Sequence, residues 1–366
     1  MIGLALSGGG SRAMAFHLGC LRALERMGLL AKVQVLSTIS GGSVIGAYYA
    51  YTPHKTFDEF DADIRTFLKG GFQRSIAVSF LRPDNLVSCV VSSSLTHLAE
   101  GIALATGREP SRPRAFSRTD IFRNILDRDV FYGTRLESPR RNDLSVVIGA
   151  TELRYGTAFR FGNDKSGDRR RGQLISNDID VAFAVAASAA YPVFLPALDR
   201  SLKFTNDSTE TEHRVCLTDG GVYDNLGIQV LEPGRDPAYS SHYFPCDYLI
   251  ACNAGHGQDS GDQVPLGFYR RVNRSFSIIH RRVQDSAMAR LHALKSSGAL
   301  KGFAMPYLGQ LDDRVKWNSD KYVRRNEVIG YGTNFSAMSE DWIQRLSKRG
   351  EQLTSCLILE YMPELL

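Results

Sequence analysis

A chain of 366 residues is long enough to bury a large core, either as one α/β domain or as two smaller ones. Hydrophobic residues make up 43% of the chain and charged residues 23%, a balance typical of globular proteins and not of disordered or fibrous ones. The formal net charge of +5 is small for this length, so we expect no nucleic-acid partner, while weak attraction to an anionic surface stays open.

The six cysteines show neither a C-x-x-C spacing nor a Cys/His metal spacing. They indicate reduced thiols in a cytoplasmic protein, and we expect no metal and no cofactor. The first residues lack a basic region and a small-residue cleavage site, so they predict a strand instead of a signal peptide. We find no uncharged apolar run of about 18 residues and therefore predict no membrane-spanning helix, only peripheral membrane contact.

The start of the chain alternates strands and helices. Residues 2–6 predict a strand, and residues 13–27 repeat apolar side chains at helical spacing before Gly28. Residues 33–36 predict a second strand and residues 43–51 a second helix. Because this alternation is typical of parallel sheets covered by helices, we predict an α/β three-layer sandwich with a largely parallel central sheet.

Further elements follow along the chain. We predict helices at residues 57–69, 179–190, 268–295 and 339–348. We predict strands at residues 144–148, 156–161, 214–217 and 248–251, and an exposed basic loop at 165–172. No internal repeat or linker is apparent. We therefore predict one domain, with a motif-bearing core of about residues 1–260, an insertion at about 70–118 and a helical C-terminal extension at about 266–366.

The first glycine turn, Gly8-Gly9-Gly10, joins the first strand to the first helix. Backbone amides at such a turn attract negative charge. The turn fits a loose dinucleotide-binding pattern, but the second strand ends in Leu36-Ser37-Thr38 without the acidic residue that holds a ribose. The alternatives are an oxyanion hole formed by the amides, with Arg12 assisting or holding a phosphate, and a tight turn without a further role.

The second turn contains three serines, and Ser40 fits a nucleophile elbow best. An elbow places its serine at the apex of a strand-to-helix turn, with small residues two positions before and after it. Gly41 and Gly42 follow Ser40, whereas Thr38 stands where glycine is usual. Ser37 falls within the strand and Ser43 within the helix. The other interpretation is that Ser40 and Ser43 are helix N-caps.

A serine hydroxyl needs a base, and none of the eight histidines lies in a diagnostic setting. Asp219 follows an apolar strand and precedes Gly220-Gly221, at the end of a sheet where α/β sites form. Burial raises the pKa of a carboxyl group and makes its ionised form a stronger base. The alternative is an aspartate that only forms an Asp-Gly turn.

Four segments in order resemble the patatin-like phospholipases. Ser7-Gly8-Gly9-Gly10-Ser11-Arg12 is similar to the oxyanion loop of the family, and Thr38-Ile39-Ser40-Gly41-Gly42 to its nucleophile elbow. Residues 188–196 are similar to its A-S-x-A-x-P-x-x-F-x-P block, and Asp219-Gly220-Gly221 to its aspartate motif. Thr38 and the following Ser-Gly-Gly-Ser are closer to the elbow of the related cytosolic phospholipases.

The resemblance implies a Ser-Asp dyad of Ser40 and Asp219, an oxyanion hole of Gly8, Gly9, Gly10 and Arg12, and elbow support from Thr38, Gly41 and Gly42. It implies a phospholipase A or lysophospholipase that forms an acyl-enzyme on a phospholipid or lysophospholipid. Three alternatives remain: a nucleotide-binding module, a scaffold that binds lipid without turnover, and an effector phospholipase that a partner activates. The oligomeric state stays undetermined.

Two segments are candidates for membrane contact. The apolar stretch at residues 86–104 predicts a lid or an interfacial surface. In the helix predicted at residues 268–295, five arginines share one face and could rest on anionic headgroups, or that face could simply be solvated: Arg270, Arg271, Arg274, Arg281 and Arg282.

Overall fold

The computed structural model describes residues 1–107, 113–192, 194–206, 209–237, 242–257, 261 and 264–366. The predicted insertion and the 188–196 block each contain residues outside these ranges, namely 108–112 and Val193. The described residues form strands β1 Ile2–Leu6, β2 Val35–Ile39, β3 Ser145–Glu152, β4 Thr157–Gly162, β5 Ser166–Asp168, β6 Gly172–Leu174, β7 Leu198–Asn206, β8 Thr209–Asp219, β9 Tyr248–Cys252 and β10 Gly302–Ala304.

The helices of the described residues cover the sheet and fill the predicted insertion and extension. They are α1 Gly10–Arg26, α2 Gly41–Tyr51, α3 Phe57–Gly70, α4 Phe72–Phe80, α5 Pro83–Thr106, α6 Arg118–Leu126, α7 Val181–Ser188, α8 Gly221–Asp224, α9 Phe268–Ser296 and α10 Glu340–Tyr361.

The sheet has a parallel half and an antiparallel half. The strands run in the order β10-β9-β1-β2-β3-β4-β5-β6-β7-β8, and the pairs from β10 to β3 are parallel. The pairs from β3 to β8 are antiparallel, and β8 pairs back with β3, so these six strands close into a barrel-like ring. The prediction of a largely parallel sheet was therefore wrong for this half.

Short connections explain part of the antiparallel half. Only residues 153–156 separate β3 from β4, and only residues 169–171 separate β5 from β6. A parallel crossover needs about a dozen residues or more, so such connections can form only hairpins. The parallel half instead has α1 between β1 and β2, and its strands are covered on both faces. Leu4 and Leu6 of β1 belong to one buried cluster, and Ala5 belongs to the other.

The C-terminal extension is part of the core. β10 extends the sheet beside β9, and α10 packs along α1. The two helices approach closely because each has a glycine at the contact: a Cβ on Gly19 would lie 1.7 Å from Ser347 O, and one on Gly350 would lie 2.2 Å from Phe16 O. Helix α9 differs, since only its C-terminal part, around Ala287 and Leu291, is buried.

The basic segment at residues 165–172 is not the exposed loop that we predicted. Ser166–Asp168 is β5, and the Arg171 side chain is buried with the carboxylates of Asp168 and Glu152. Only Arg169 and Arg170 of the run are exposed. The ion pairs with the two carboxylates offset the cost of desolvating the buried guanidinium. The composition of the segment does not reveal these partners.

Among the described residues, α5 is the one helix long and apolar enough to cross a membrane by length and composition, and 11% of its apolar stretch is buried. The sequence-based prediction of membrane-spanning helices did not include α5, because Asp84, His97 and Glu100 interrupt its apolar run.

Candidate active site

Ser40 occupies a strained turn between β2 and α2. Its backbone φ is 52° and its ψ is −119°, and within the described residues Tyr132 is the one other non-glycine residue with a positive φ. Such a conformation costs about 1–3 kcal/mol and persists only where its surroundings impose it. Here the Ser40 amide donates to Ser188 Oγ at 2.9 Å. The strained backbone conformation therefore falls on Ser40, the serine that the elbow pattern predicted as the nucleophile.

Close packing around this turn requires small residues. A Cβ on Gly41 would lie 2.3 Å from Gly10 O, and one on Gly42 would lie 2.3 Å from Leu6 O. Both contacts are with backbone, so only glycine lets α2 approach the first glycine turn and β1. Thr38, which stands where glycine is usual, fits because α2 presents Gly46 to it. A Cβ on Gly46 would lie 2.4 Å from Thr38 Cγ2.

Asp219 meets Ser40 along one edge of strand β3. On that edge Ile39 pairs with Gly149 and Asp219 pairs with the next residue, Ala150, while β4 occupies the opposite edge of β3. The Ser40 hydroxyl donates to Asp219 Oδ2 at 2.7 Å, and the Gly221 amide donates to Asp219 Oδ1 at 2.7 Å. Both side chains are buried. The structure therefore brings together the two residues of the predicted dyad.

The environment of Asp219 makes it a stronger base than an exposed aspartate. Burial raises the pKa of Asp219 from 3.8 to about 6, although the hydrogen bonds from Ser40 and Gly221 act in the opposite direction. The group is ionised at neutral pH, and its pKa lies closer to the working pH than that of a solvated carboxylate. It can therefore hold the serine hydroxyl in place and accept its proton.

Ser188, at the end of α7, connects the elbow to the aspartate loop. Its hydroxyl donates to Gly149 O at 2.6 Å and accepts from the Ser40 amide. Because its single proton is used by Gly149, the 2.8 Å contact with Ser43 Oγ is a bond that Ser43 donates. The Ser188 carbonyl accepts from the Gly220 amide at 3.0 Å. The family block contained this residue, but its contacts became visible only in the structure.

We expect Ser188→Ala to lower kcat/KM for ester hydrolysis by about tenfold or more and to destabilise the fold by about 1–3 kcal/mol. The substitution leaves the Ser40 amide and the Gly149 carbonyl buried without this partner. The matched control is Ser37→Ala, which removes a single hydrogen bond to Gly227 O from a buried serine on strand β2. Equal kinetic effects of both substitutions, measured with a soluble ester, would show that Ser188 acts only through general stability.

The first glycine turn lies directly beside the elbow. A Cβ on Gly8 would lie 3.3 Å from Ser40 Cβ, and one on Gly41 would lie 2.7 Å from Gly10 N. The Gly8 amide donates to Asn225 O at 3.0 Å. Within the part of the chain that the structure describes, no hydrogen bond from the amides of Gly9 or Gly10 is recorded. These two donors at the start of α1 are available for an anion.

Backbone carbonyl groups hold the Arg12 guanidinium next to the first glycine turn. Its guanidinium is buried and donates from Nε to Ala254 O at 2.9 Å and from Nη1 to Tyr331 O at 3.3 Å, and it also contacts His256. Burial lowers the pKa of Arg12 to about 9. Nη2 lies next to Gly9, since a Cβ there would be 3.4 Å from it. This geometry favours a bracing role beneath the glycine turn over a direct contact with substrate phosphate.

A segment of the C-terminal extension also supports the glycine turn. The Ser11 amide donates to Asn334 O at 2.7 Å, and the Ser11 hydroxyl to Ser336 O at 3.3 Å. A Cβ on Gly10 would lie 2.3 Å from Asn334 O, so this backbone contact also depends on glycine. Nothing in the sequence identified residues 331–336 as part of the site, because their contribution is made by backbone carbonyls.

Helix α9 approaches the aspartate side of the site. The Phe276 ring lies 6.4 Å from the Tyr191 ring, and His280 hydrogen bonds with the backbone of Gly221. Burial lowers the pKa of His280 below its ordinary value. Among the described residues, no histidine hydrogen bonds with Ser40 or Asp219. The titratable group that contacts the serine hydroxyl is the Asp219 carboxylate.

The fold and the serine-aspartate pair together define a patatin-type α/β protein, and sequence comparison agrees. A model of the patatin-like phospholipase family matches residues 4–231, which is well over half of the chain. The chain belongs to the patatin-like phospholipase family. A comparison with curated protein sequences gave no match.

Two structures of human GIVD cytosolic phospholipase A2 show the same fold at low sequence identity. Human GIVD cytosolic phospholipase A2 superposes with a TM-score of 0.54 and 12% identity, covering 97% of this chain and 58% of that protein. Its complex with methyl gamma-linolenyl fluorophosphonate superposes with a TM-score of 0.51 and 12% identity, covering 97% and 57%. VipD from Legionella pneumophila gives a TM-score of 0.39 at 17% identity, covering 98% and 67%. The present chain thus spans less than two thirds of the human enzyme.

Proposed function

We propose that the chain is a serine esterase that hydrolyses acyl esters of phospholipids or lysophospholipids. The observation that carries the proposal is the 2.7 Å hydrogen bond from Ser40 Oγ to Asp219 Oδ2 at a strained, buried elbow. Membership in the patatin-like phospholipase family supports lipid acyl hydrolase activity in general. We place the enzyme in the cytoplasm, with peripheral contact to the membrane that contains its substrate.

In the first half-reaction, Ser40 Oγ attacks the acyl carbonyl carbon and its proton passes to Asp219 Oδ2. The carbonyl oxygen becomes an oxyanion, which the amides of Gly9 and Gly10 stabilise at the N-terminus of α1. When the tetrahedral intermediate collapses, the bond to the alcohol oxygen breaks and that oxygen takes the proton from Asp219. The products are a lysophospholipid or glycerophosphodiester and an acyl-enzyme on Ser40.

In the second half-reaction, water replaces the alcohol. Asp219 accepts a proton from the water as its oxygen attacks the acyl carbon, and the same amides hold the second oxyanion. Collapse returns the proton to Ser40 Oγ and releases the fatty acid. Asp219 therefore acts as base and then as acid in each half-reaction, a use for which a pKa of about 6 is better suited than one near 4.

The test compares fatty-acid release by the wild-type protein from phosphatidylcholine vesicles, from lysophosphatidylcholine and from a short soluble ester. We expect release from at least one lipid and covalent modification by an alkyl fluorophosphonate, which mass spectrometry of peptides should locate at Ser40. Modification at Ser37 or Ser43 would contradict the assignment of the nucleophile. A folded protein that neither releases fatty acid nor reacts with the reagent would refute the proposed activity.

A further inference from the structure

Helix α5 has its apolar side facing outward. Seven residues form a continuous seam toward the protein, and all of them are small or polar: Asn85, Cys89, Ser92, Ser93, Thr96, Ala99 and Ala103. Eight large apolar residues point away from it and are between 36% and 89% exposed: Leu86, Val87, Val90, Val91, Leu95, Leu98, Ile102 and Leu104. A helix of a water-soluble surface shows the opposite arrangement.

This reversed arrangement favours lipid over water as the medium that contacts the outward face of α5. At about 100° per residue, the eight apolar side chains spread over roughly half of the helix circumference. A single flat protein surface covers such a convex face poorly, whereas acyl chains surround it. Seams of small residues are also typical of helices that pack against protein inside a bilayer. The exposed side chains of Val78 and Leu81 continue the apolar surface beyond the helix start.

Contacts at the start and in the middle of α5 favour a helix that lies along a membrane over one that crosses it. Asn85 Nδ2 donates to Ser79 O at 2.8 Å, and the Phe116 amide donates to Ser92 Oγ at 3.1 Å. The chain next to Phe116 returns to the sheet, where the Arg114 amide donates to Asp199 Oδ2 at 2.8 Å. The segment that follows α5 in the chain therefore runs back beside the first half of the helix. The segments before and after α5 thus lie on the same side of a bilayer.

The charges near α5 fit the same orientation. Arg74 and Arg82, before the helix, are exposed, and neither forms an ion pair with any residue that the structure describes. Arginines at this position relative to an apolar helix can lie at the level of lipid phosphates. Only Asp84 and Glu100 carry negative charge within α5; Asp84 lies in its first turn and Glu100 in its C-terminal third.

Helices α4 and α5 are connected to the candidate active site by one short segment. The amides of Phe72 and Gln73, at the start of α4, donate to Phe335 O at 2.9 and 3.0 Å. The adjacent residue Asn334 accepts from the Ser11 amide and packs against Gly10. A surface that carries α4 and α5 therefore holds the glycine turn at a defined distance from the lipid.

We propose that α5 docks the protein on one leaflet of a phospholipid bilayer by immersing its outward apolar face among the acyl chains. This inference rests on the proposed function, which gives the docking its purpose, but its test needs no turnover. The occupant to which it commits is lipid. A second copy of the chain covering the same face is the alternative that the experiment must distinguish.

The experiment measures sedimentation of Ser40→Ala protein with vesicles of phosphatidylcholine containing a minor fraction of phosphatidylglycerol. Adding Leu95→Asp and Leu98→Asp should weaken vesicle partitioning by at least about tenfold, because charged groups replace apolar ones at the centre of the face. The matched control carries Leu311→Asp and Leu359→Asp, two exposed apolar positions outside α5, and should bind like its parent.

A depth measurement keeps the inference testable if the aspartate variants fold poorly. Leu95→Trp should be quenched by lipids brominated along the acyl chain, whereas Leu311→Trp should not exceed the background from Trp317 and Trp342. Equal binding of both aspartate variants would overturn the proposal, as would a solution dimer that Leu95→Asp and Leu98→Asp dissociate without any effect on vesicles. Vesicle binding by a protein that hydrolyses no ester would retain α5 as a docking helix and refute only the proposed function.

Discussion

Ser40→Ala is expected to lower kcat/KM for ester hydrolysis by at least about 10⁴-fold, the size of effect seen when the nucleophile of a serine hydrolase is removed. The substitution removes the one oxygen that lies at 2.7 Å from Asp219 Oδ2 and leaves the backbone of the elbow in place. The measurement is the initial rate of hydrolysis of a soluble ester, which separates chemistry from vesicle binding.

Ser37→Ala is the matched control for this substitution. Ser37 is a buried serine three residues earlier on β2, and its hydroxyl donates to Gly227 O and not to the carboxylate. We expect it to retain activity within a few-fold of wild type. Substantial ester hydrolysis by folded Ser40→Ala protein would refute the mechanism in which Ser40 forms an acyl-enzyme, whatever the effect of Ser37→Ala.

Asp219→Asn should lower kcat/KM by about 10³-fold or more, because the amide can orient the Ser40 hydroxyl but cannot accept its proton. For the wild-type protein we expect kcat/KM to rise with pH through about 6 and then to level, since the ionised carboxylate is the active form. This ascending limb should be absent from the residual activity of Asp219→Asn. A wild-type profile that is flat between pH 5 and pH 7, about one unit on each side of that pKa, would contradict the assignment of Asp219 as the base.

The same substitution should not cost stability at neutral pH. The pKa of Asp219 is raised from 3.8 to about 6 in the folded state, so the folded state binds a proton more tightly than the unfolded state. The free energy of unfolding therefore falls as pH rises from about 4 to about 6, by up to about 3 kcal/mol for this group. Asp219→Asn removes that penalty, and its Tm at pH 7 should equal or exceed the wild-type value. A marked drop in Tm at pH 7 would indicate that the carboxylate is a structural anchor.

The C-terminal extension contributes to the site although the family match ends at residue 231. Asn334 and Tyr331 accept hydrogen bonds from Ser11 and Arg12, and α9 lies beside Gly221. A truncation at the end of the matched region would therefore remove groups that hold the glycine turn and would also remove β10 and α10 from the core. Measurements of activity are best made on the full chain.

The sequence by itself located the turns that form the candidate site. The elbow at Ser40 and the glycine turn at residues 8–10 are local features, in which a strand, small residues and a helix follow one another within about ten residues. Short-range sterics favour this local geometry in such segments, so their pattern was sufficient to predict the parallel first half of the sheet. The roles of their residues remain predictions for the experiments above.

Only the tertiary structure decided which groups meet. Asp219 lies beside Ser40 because β8 closes the antiparallel half by pairing with β3, and the pairing of Ala150 with Asp219 sets the register. Other groups near the candidate site also come from segments far apart in the chain. They are the carbonyls of residues 331–336, which accept hydrogen bonds from Ser11 and Arg12, and the hydroxyl of Ser188. The outward apolar face of α5 likewise depends on which side of the helix packs on the protein. These contacts are absent from any local pattern because burial and strand register are properties of the whole fold.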